Sequence, residues 1–181
     1  LRVPSFSRWL EEQDQGPAYR YLRRLLKLLA WKGHGERWVL KTPHHLEWFD
    51  TLLDVFPDAK IIQTHRDPLQ TTASFCSMVT HGRGVFSDDV DPLEAGRDWT
   101  DKVVRMITRA TEARERHDAS HFLDVSYYDV IKDPMAQLER VYAFIGMPLD
   151  ATARAAIEAM RKSSPQHRYG KHVYHLESFG L

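Results

Sequence analysis

Apolar and polar positions alternate along the chain in blocks that predict strands separated by helices. A broad apolar face, interleaved with basic residues, predicts a helix from Ser5 to Leu29. Two short apolar runs follow, Arg37 to Lys41 and Lys60 to Arg66, and a third spans Phe122 to Tyr127. Each run has the length and composition of a buried strand. Strands that alternate with helices predict an α/β fold, with a parallel sheet flanked by helices.

Helix-start signals come directly after the first two predicted strands. Thr42-Pro43 and Asp67-Pro68 each place an N-capping side chain before a proline, which the first turn of a helix tolerates. The helix after Asp67 should end near Val79, because two glycines lie within residues 81–84. The same patterns predict later helices over residues 92–117, from 134 to the stop at Gly146, and from Asp150 to about Lys162.

Two basic residues stand at equivalent positions, because Lys41 and Arg66 each end a predicted strand. Open α/β sheets bind ligands outside the carboxyl ends of their strands, and helix N-termini at that edge favour anions. Tyr127 ends the third strand and adds a ring suited to flank a nucleobase. Ser74 lies eight residues after Arg66, where its hydroxyl would reach a phosphate held by the guanidinium. Each residue alone has a plainer structural explanation, so the prediction depends on their combination.

Composition narrows the class of protein without deciding its function. The 181 residues predict a single domain over residues 1–181, with 43% hydrophobic and 28% charged residues. The 25 basic and 25 acidic residues balance, which gives no support for a nucleic-acid partner. Cys76 is the only cysteine, so an intrachain disulfide or multi-cysteine metal site is excluded. No apolar run has the length of a membrane span, and cytoplasmic residence is the default prediction.

Several sequence blocks, taken in order, resemble one enzyme family. Residues 38–46, WVLKTPHHL, resemble a W-V-L-K-[ST]-P-x-H-L block, and Arg66 with Ser74 resembles the family's 3′-phosphate signature. VSYYDVIKDP, AFIGMPL and the tail HRYGKHVYHLESFGL resemble its later blocks, although Tyr128 replaces the usual glutamate. The chain thus resembles the bacterial-type branch of the sulfotransferases that use 3′-phosphoadenylyl sulfate. This resemblance implies a fold like that of the P-loop kinases.

The resemblance also implies an activity and roles for particular residues. A sulfuryl group would pass from 3′-phosphoadenylyl sulfate to a hydroxyl or amine of a small-molecule, lipid or carbohydrate acceptor, without a metal. Lys41 would stabilise charge on the leaving oxygen, and His45 would be the general base, with adjacent His44 as the other candidate and an upstream glutamate as an alternative. The implied donor contacts are Arg66, Ser74, Tyr127, Arg168 and Lys171.

One part that the resemblance implies is missing from these residues. The family's 5′-phosphosulfate loop has the pattern G-x-x-[RK]-[ST]-G-T-[ST] after the first strand, and no segment here matches it. Gly33 and Gly35 lack the residues that should follow them. We therefore expect this sequence to be a fragment that lacks the first strand and the phosphate loop. The alternatives are a longer protein of which this sequence gives only part, and a relative of the family that has lost the loop.

Three other functions match parts of this sequence. His65-Arg66-Asp67 imitates a protein-kinase catalytic loop, but position 72 is threonine and no D-F-G follows, so a protein kinase is rejected. A P-loop nucleotide kinase would need a G-x-x-x-x-G-K-[ST] loop, which is absent. A non-catalytic nucleotide-binding or interaction domain remains open. In that case the N-terminal helix would offer a surface for a homodimer.

Overall fold

The computed structural model describes residues 3–33, 37–164, 170 and 173–181. The helices in this part are α1 (Pro4–Glu12), α2 (Gly16–Ala30), α3 (Phe49–Val55), α4 (Pro68–Gly84), α5 (Pro92–Arg116), α6 (Tyr127–Lys132), α7 (Pro134–Phe144) and α8 (Ala151–Ser163). The strands are β1 (Ile61–His65) and β2 (Phe122–Ser126), and short 3₁₀ helices span Pro43–Glu47, Ala119–His121 and Leu176–Phe179. The α/β class expected from the sequence is confirmed. Among these helices, none is long and apolar enough to cross a bilayer.

The sheet of the described residues is a parallel pair, β1 and β2. Its register runs from Ile61 opposite Phe122 to His65 opposite Ser126. The connection between the two strands contains α4 and α5, as a parallel pair requires a long crossover. Both strands were predicted, and the parallel arrangement places their carboxyl ends at one edge.

The predicted strand from Arg37 to Lys41 is wrong for the described structure. These residues form no strand or helix, with Val39 93% exposed and Trp38 50% exposed. An extended segment becomes a strand only when a neighbouring strand takes its backbone hydrogen bonds, and the described residues provide none. The Nη1 of Arg37 donates to the carbonyl of Ile145 at 2.6 Å, which ties the start of the segment to the end of α7.

Helix ends differ from the prediction where proline or ion pairs intervene. The helix predicted from Ser5 to Leu29 is interrupted after α1, because Pro17 in the first turn of α2 lacks the amide that a continuous helix would need. α4 continues through residues 81–84 instead of ending near Val79. Arg83 pairs with Glu94 and Asp98 of α5 at 3.7 and 3.5 Å, and these contacts hold the last turn of α4 in place.

Helix α5 is the element around which the core is built. One cluster joins α3, α5 and β2 through Phe49, Leu53, Ala110, Ala113 and Phe122. A second cluster joins α4 to the C-terminal residues through Ala73, Cys76 and Phe179, with Trp99 of α5 packed against it. The two clusters therefore fix α3, α4, the sheet and the C-terminal 3₁₀ helix on one long support.

Candidate functional site

The parallel register brings Arg66 and Tyr127 together. Each follows the last residue of its strand, and the last paired residues, His65 and Ser126, lie opposite each other. The guanidinium carbon of Arg66 lies 4.4 Å from the centroid of the Tyr127 ring. This distance is within the range of a cation–π contact. Two of the three strand ends expected at one edge therefore meet there.

Arg66 keeps an uncompensated charge within the described structure. Its Nη2 donates to the neutral side-chain oxygen of Gln70 at 3.0 Å, and it forms no ion pair with a described carboxylate. Elsewhere in the chain Arg105, Arg109 and Arg114 are each paired with a carboxylate. A guanidinium has five N–H donors in a planar fork, so most donors of Arg66 remain for another acceptor.

The start of α4 is closed by its own cap. The carboxylate of Asp67 accepts from the backbone amides of Leu69 and Gln70 at 2.9 and 3.3 Å, and Pro68 contributes no amide. Asp67 therefore occupies the free amides that would otherwise bind an anion at this helix end. Positive charge at this edge comes from Arg66 and not from the helix N-terminus.

Arg114 links the two strands close to this edge of the sheet. Its two Nη atoms donate to the carboxylate of Asp124 at 2.7 Å each, and Nη1 also reaches the side-chain oxygen of Gln63 at 2.7 Å. The Nε2 of His65 lies 2.6 Å from the same carboxylate. The hydrogen bonds from Arg114, helped by His65, hold the pKa of Asp124 far below its usual range. Arg66 thus directly follows His65, a residue of β1 whose side chain contacts Asp124 of β2.

Ser74 lies on α4, half-buried between the buried Ala73 and the partly buried Phe75. Its hydroxyl makes no hydrogen bond to another residue of the described ranges. The residue one turn earlier, Gln70, contacts Arg66 through its side chain and accepts from the hydroxyl of Tyr174 at its backbone carbonyl, at 3.1 Å. The C-terminal segment therefore reaches the same face of α4 as the arginine.

Lys41 and the two histidines lie on a separate segment. The 3₁₀ helix Pro43–Glu47 is capped by Thr42, whose hydroxyl accepts from the amide of His44 at 3.3 Å. Lys41 precedes this cap and is exposed, with neither an ion pair nor a hydrogen bond to the rest of the described chain. The cap predicted at Thr42 is confirmed, although the first turn is 3₁₀ and α3 begins only at Phe49.

His45 is held by a buried tyrosine from α2. Its Nδ1 lies 2.8 Å from the hydroxyl oxygen of Tyr19, which is 5% exposed. Burial raises the pKa of Tyr19 to about 12, so the phenol stays protonated. Burial, followed by repulsion from His44, lowers the pKa of His45. Nε2 is the ring nitrogen left for a substrate, and it accepts a proton in the tautomer whose Nδ1–H donates to Tyr19.

Glu47 fixes the histidine segment on α5. Its carboxylate is 6% exposed and accepts from Arg105 at 3.0 and 3.3 Å and from Arg109 at 3.2 Å. Arg105 also pairs with Glu11 of α1 at 2.8 Å. The network therefore joins α1, the 3₁₀ helix and α5 next to His45.

The structure joins the predicted site residues into two groups. Arg66 and Tyr127 form one group with the face of α4, whereas Lys41, His44 and His45 form the other. No described contact links the groups directly, but both are carried by α5, where Phe75 packs on Trp99 and Glu47 pairs with Arg105. Trp99 and Arg105 are six residues apart on α5, which corresponds to about 9 Å along the helix axis. Arg168 and Lys171 lie outside the described residues, and no metal-binding cluster occurs within the described ones.

Sequence reasoning missed three residues that organise these groups. Gln70 had a usable signal, because it lies midway between Arg66 and Ser74 at helical spacing. Tyr174 had one as well, because it belongs to the tail that resembles the family's C-terminal block. Tyr19 had none, since it reaches His45 through a long-range contact that no local pattern encodes.

Comparisons with known proteins agree on one family. A family model described as "Sulfotransferase family" matches residues 3–151. The crystal structure of sulfotransferase STF9 from Mycobacterium avium superposes with a TM-score of 0.90 at 32% identity, covering 100% of this chain and 47% of that one. For sulfotransferase STF1 from Mycobacterium tuberculosis H37Rv the TM-score is 0.83 at 36% identity, covering 99% of this chain and 46% of that one.

Curated relatives carry a more specific name. The omega-hydroxy-beta-dihydromenaquinone-9 sulfotransferases Stf3 of Mycobacterium bovis and Mycobacterium tuberculosis are each 33% identical over 116 residues. That match covers 60% of this chain and 28% of each relative, and the chain spans about half the length of the solved structures. The family model alone covers well over half of the residues, and by this match the chain belongs to the sulfotransferase family.

Proposed function

We propose that the protein of this chain transfers a sulfuryl group from 3′-phosphoadenylyl sulfate to a hydroxyl or amine acceptor. The observation that supports this most strongly is Arg66, a guanidinium stacked on Tyr127 and free of any described carboxylate. Such a group fits a phosphate dianion, which forms bidentate charge-assisted hydrogen bonds with arginine. The family match supports the reaction class, and the donor is the finer proposal.

Donor binding is assigned to the first group of residues. Arg66 would hold the 3′-phosphate, Ser74 would donate its hydroxyl to the same phosphate, and the ring of Tyr127 would flank the adenine. Because Gln70 is neutral, its contact with Arg66 orients the guanidinium without cancelling its charge. Arg168 and Lys171 remain proposed contacts from the tail.

The transfer step is assigned to the second group. The acceptor oxygen forms a bond to sulfur while the bond between sulfur and the phosphosulfate bridging oxygen breaks, which leaves adenosine 3′,5′-bisphosphate. Lys41 would stabilise the charge that develops on the leaving oxygen. The acceptor proton would pass to Nε2 of His45, whose lowered pKa keeps the ring neutral at pH 7. His44 would influence this step through its charge.

A hydroxyl on a hydrophobic molecule is the acceptor class we favour. The curated relatives are named for a hydroxylated menaquinone, and this supports a lipid-like alcohol over a sugar or an amine. Residence in the cytoplasm, a single domain over residues 1–181, a bacterial source and a homodimer remain predictions.

Isothermal titration with adenosine 3′,5′-bisphosphate and 5′-AMP tests the donor assignment. The two nucleotides differ only in the 3′-phosphate, so the proposal requires the bisphosphate to bind about tenfold or more tightly. Equal binding of both nucleotides would contradict the 3′-phosphate site. Tight bisphosphate binding without sulfate transfer to any hydroxyl acceptor would favour the non-catalytic nucleotide-binding domain.

A further inference from the structure

Three threonine side chains within this protein's helices bond to their own backbone. Thr71, Thr100 and Thr111 each donate the side-chain hydroxyl to the carbonyl four residues earlier, at 2.9, 2.7 and 2.9 Å. This back-bonding satisfies the hydroxyl and removes it from other partners. The hydroxyl of Ser74 makes no such bond within the described residues, nor does that of Thr80 in the same helix.

At Ser74, Tyr174 occupies the carbonyl that such a bond would need. The carbonyl four residues before Ser74 belongs to Gln70, and it accepts from the hydroxyl of Tyr174 at 3.1 Å. A carbonyl oxygen has two lone pairs, and in a regular helix one of them accepts the backbone amide of residue i+4. Tyr174 takes the other, so the Ser74 hydroxyl is left to bond outside its own helix.

The same residue, Gln70, also holds Arg66. Its side-chain oxygen accepts from Nη2 of Arg66 at 3.0 Å, while its backbone carbonyl holds Tyr174. Gln70 and Ser74 are four residues apart, which places them along one side of α4, and Arg66 precedes the helix and reaches Gln70 through its side chain. Tyr174 therefore contacts the one residue that lies between both proposed phosphate ligands.

The position of Tyr174 is set by an anchored segment. Phe179 is 6% exposed and packs with Ala73 and Cys76 of α4, and Tyr174 packs against the same cluster. Gly96 of α5 lies so close that an added Cβ would be 1.9 Å from the Phe179 carbonyl oxygen. The 3₁₀ helix Leu176–Phe179 thus has no room to shift toward α5.

We propose that Tyr174 is a positioning residue for the 3′-phosphate of the donor. Its hydroxyl occupies the Gln70 carbonyl, which keeps the Ser74 hydroxyl available to the phosphate and fixes the residue that orients Arg66. The proposal rests on the donor site proposed above, and it assigns to Tyr174 no contact with the nucleotide.

The test is the Tyr174→Phe variant, which removes the hydroxyl and keeps the ring. Without the tyrosine, Ser74 can bond to Gln70, so bisphosphate affinity should fall about threefold to tenfold. Affinity for 5′-AMP, which has no 3′-phosphate, should change by less than about twofold. Tyr21→Phe is the matched control, because Tyr21 is 61% exposed and lies on α2. Thermal unfolding of both variants verifies that they fold.

A double-mutant cycle with Ser74→Ala isolates the proposed route. If Tyr174 acts by freeing Ser74, the double variant should bind the bisphosphate about as well as whichever single variant binds it more weakly. Fully additive losses, equal losses for both nucleotides, or no loss in Tyr174→Phe would each overturn the inference while leaving the donor site intact. Absence of any bisphosphate preference in the unsubstituted chain would instead overturn the donor site, and the inference with it.

Discussion

The guanidinium of Arg66 lies against the ring of Tyr127, 4.4 Å from guanidinium carbon to ring centroid, because two parallel strands end at the same level. Neither residue is adjacent to the other in sequence, and the sheet register alone brings them together. Of the five N–H donors of Arg66, one bonds to Gln70 and the others have no acceptor among the described residues, so they remain for an anion.

Arg66→Ala should weaken binding of adenosine 3′,5′-bisphosphate about tenfold to a hundredfold, since it removes charge-assisted hydrogen bonds worth about 1.5–3 kcal/mol. Isothermal titration measures the loss. Arg97→Ala is the control, because Arg97 is 70% exposed and pairs with Asp91 at 3.7 Å, and its removal should leave binding unchanged. Unchanged binding in Arg66→Ala would remove this residue from the site.

His44→Gln should raise the pKa of His45. Burial is the first cause that lowers this pKa below the ordinary value of 6.5, and the charge of His44 is the second. Removing the second cause moves the pKa upward while burial keeps it below 6.5. Titration of the His45 ring by NMR checks the direction, and a further decrease would contradict the assigned cause.

The same shift predicts how stability and activity depend on pH. Since the folded protein favours the neutral ring, the contribution of His45 to stability is present above pH 6.5 and is lost as pH falls through its lower folded-state pKa. If His45 is the base, kcat/KM should fall over the same acid range and stay level above it. A rate that rises as the pH falls below 6.5 would rule out His45.

Glu47→Gln should destabilise the fold by about 2–3 kcal/mol, because it leaves Arg105 and Arg109 without their buried carboxylate. Urea unfolding measures the change. The control is Glu139→Gln, since Glu139 is 52% exposed and its pair with Arg154 should contribute less than about 1 kcal/mol. Similar losses in both variants would mean that burial of Glu47 has no special effect.

Gly96→Ala should destabilise the protein by about 2–3 kcal/mol, because the new methyl group meets the backbone of Phe179 and not a movable side chain. Gly82→Ala is the matched control in α4, where an added Cβ has nothing within 4 Å. That substitution should stabilise the helix by about 0.5–1 kcal/mol. Opposite signs in thermal unfolding would support the packing; equal signs would contradict it.

Local chemistry made much of the fold predictable. Thr42 and Asp67 were identified as caps because a short polar side chain before a proline has few other uses in a globular chain, and both accept backbone amides as expected. The strands ending before Arg66 and Tyr127 were likewise visible as short apolar runs. Their parallel pairing followed from the helices between them.

Contacts between distant segments were not predictable in the same way. The run from Arg37 to Lys41 has the composition of a strand, but composition does not supply the neighbour that a strand needs. Gly82 and Gly84 suggested a helix end, yet the ion pairs of Arg83 with α5 outweigh the low helix propensity of glycine. Tyr19 reaches His45 only because α2 packs there.

The contact between Tyr174 and Gln70 joins residues that are 104 positions apart in the chain. Closing so large a loop costs conformational entropy, so contacts of this range form late in folding unless other packing brings the segments together first. Packing of Phe179 on Ala73 and Cys76 brings the two segments together, so we expect this contact to form only after the C-terminal residues have packed on α4. Amide hydrogen exchange should then show protection of residues 173–181 that is gained and lost together with that of α4.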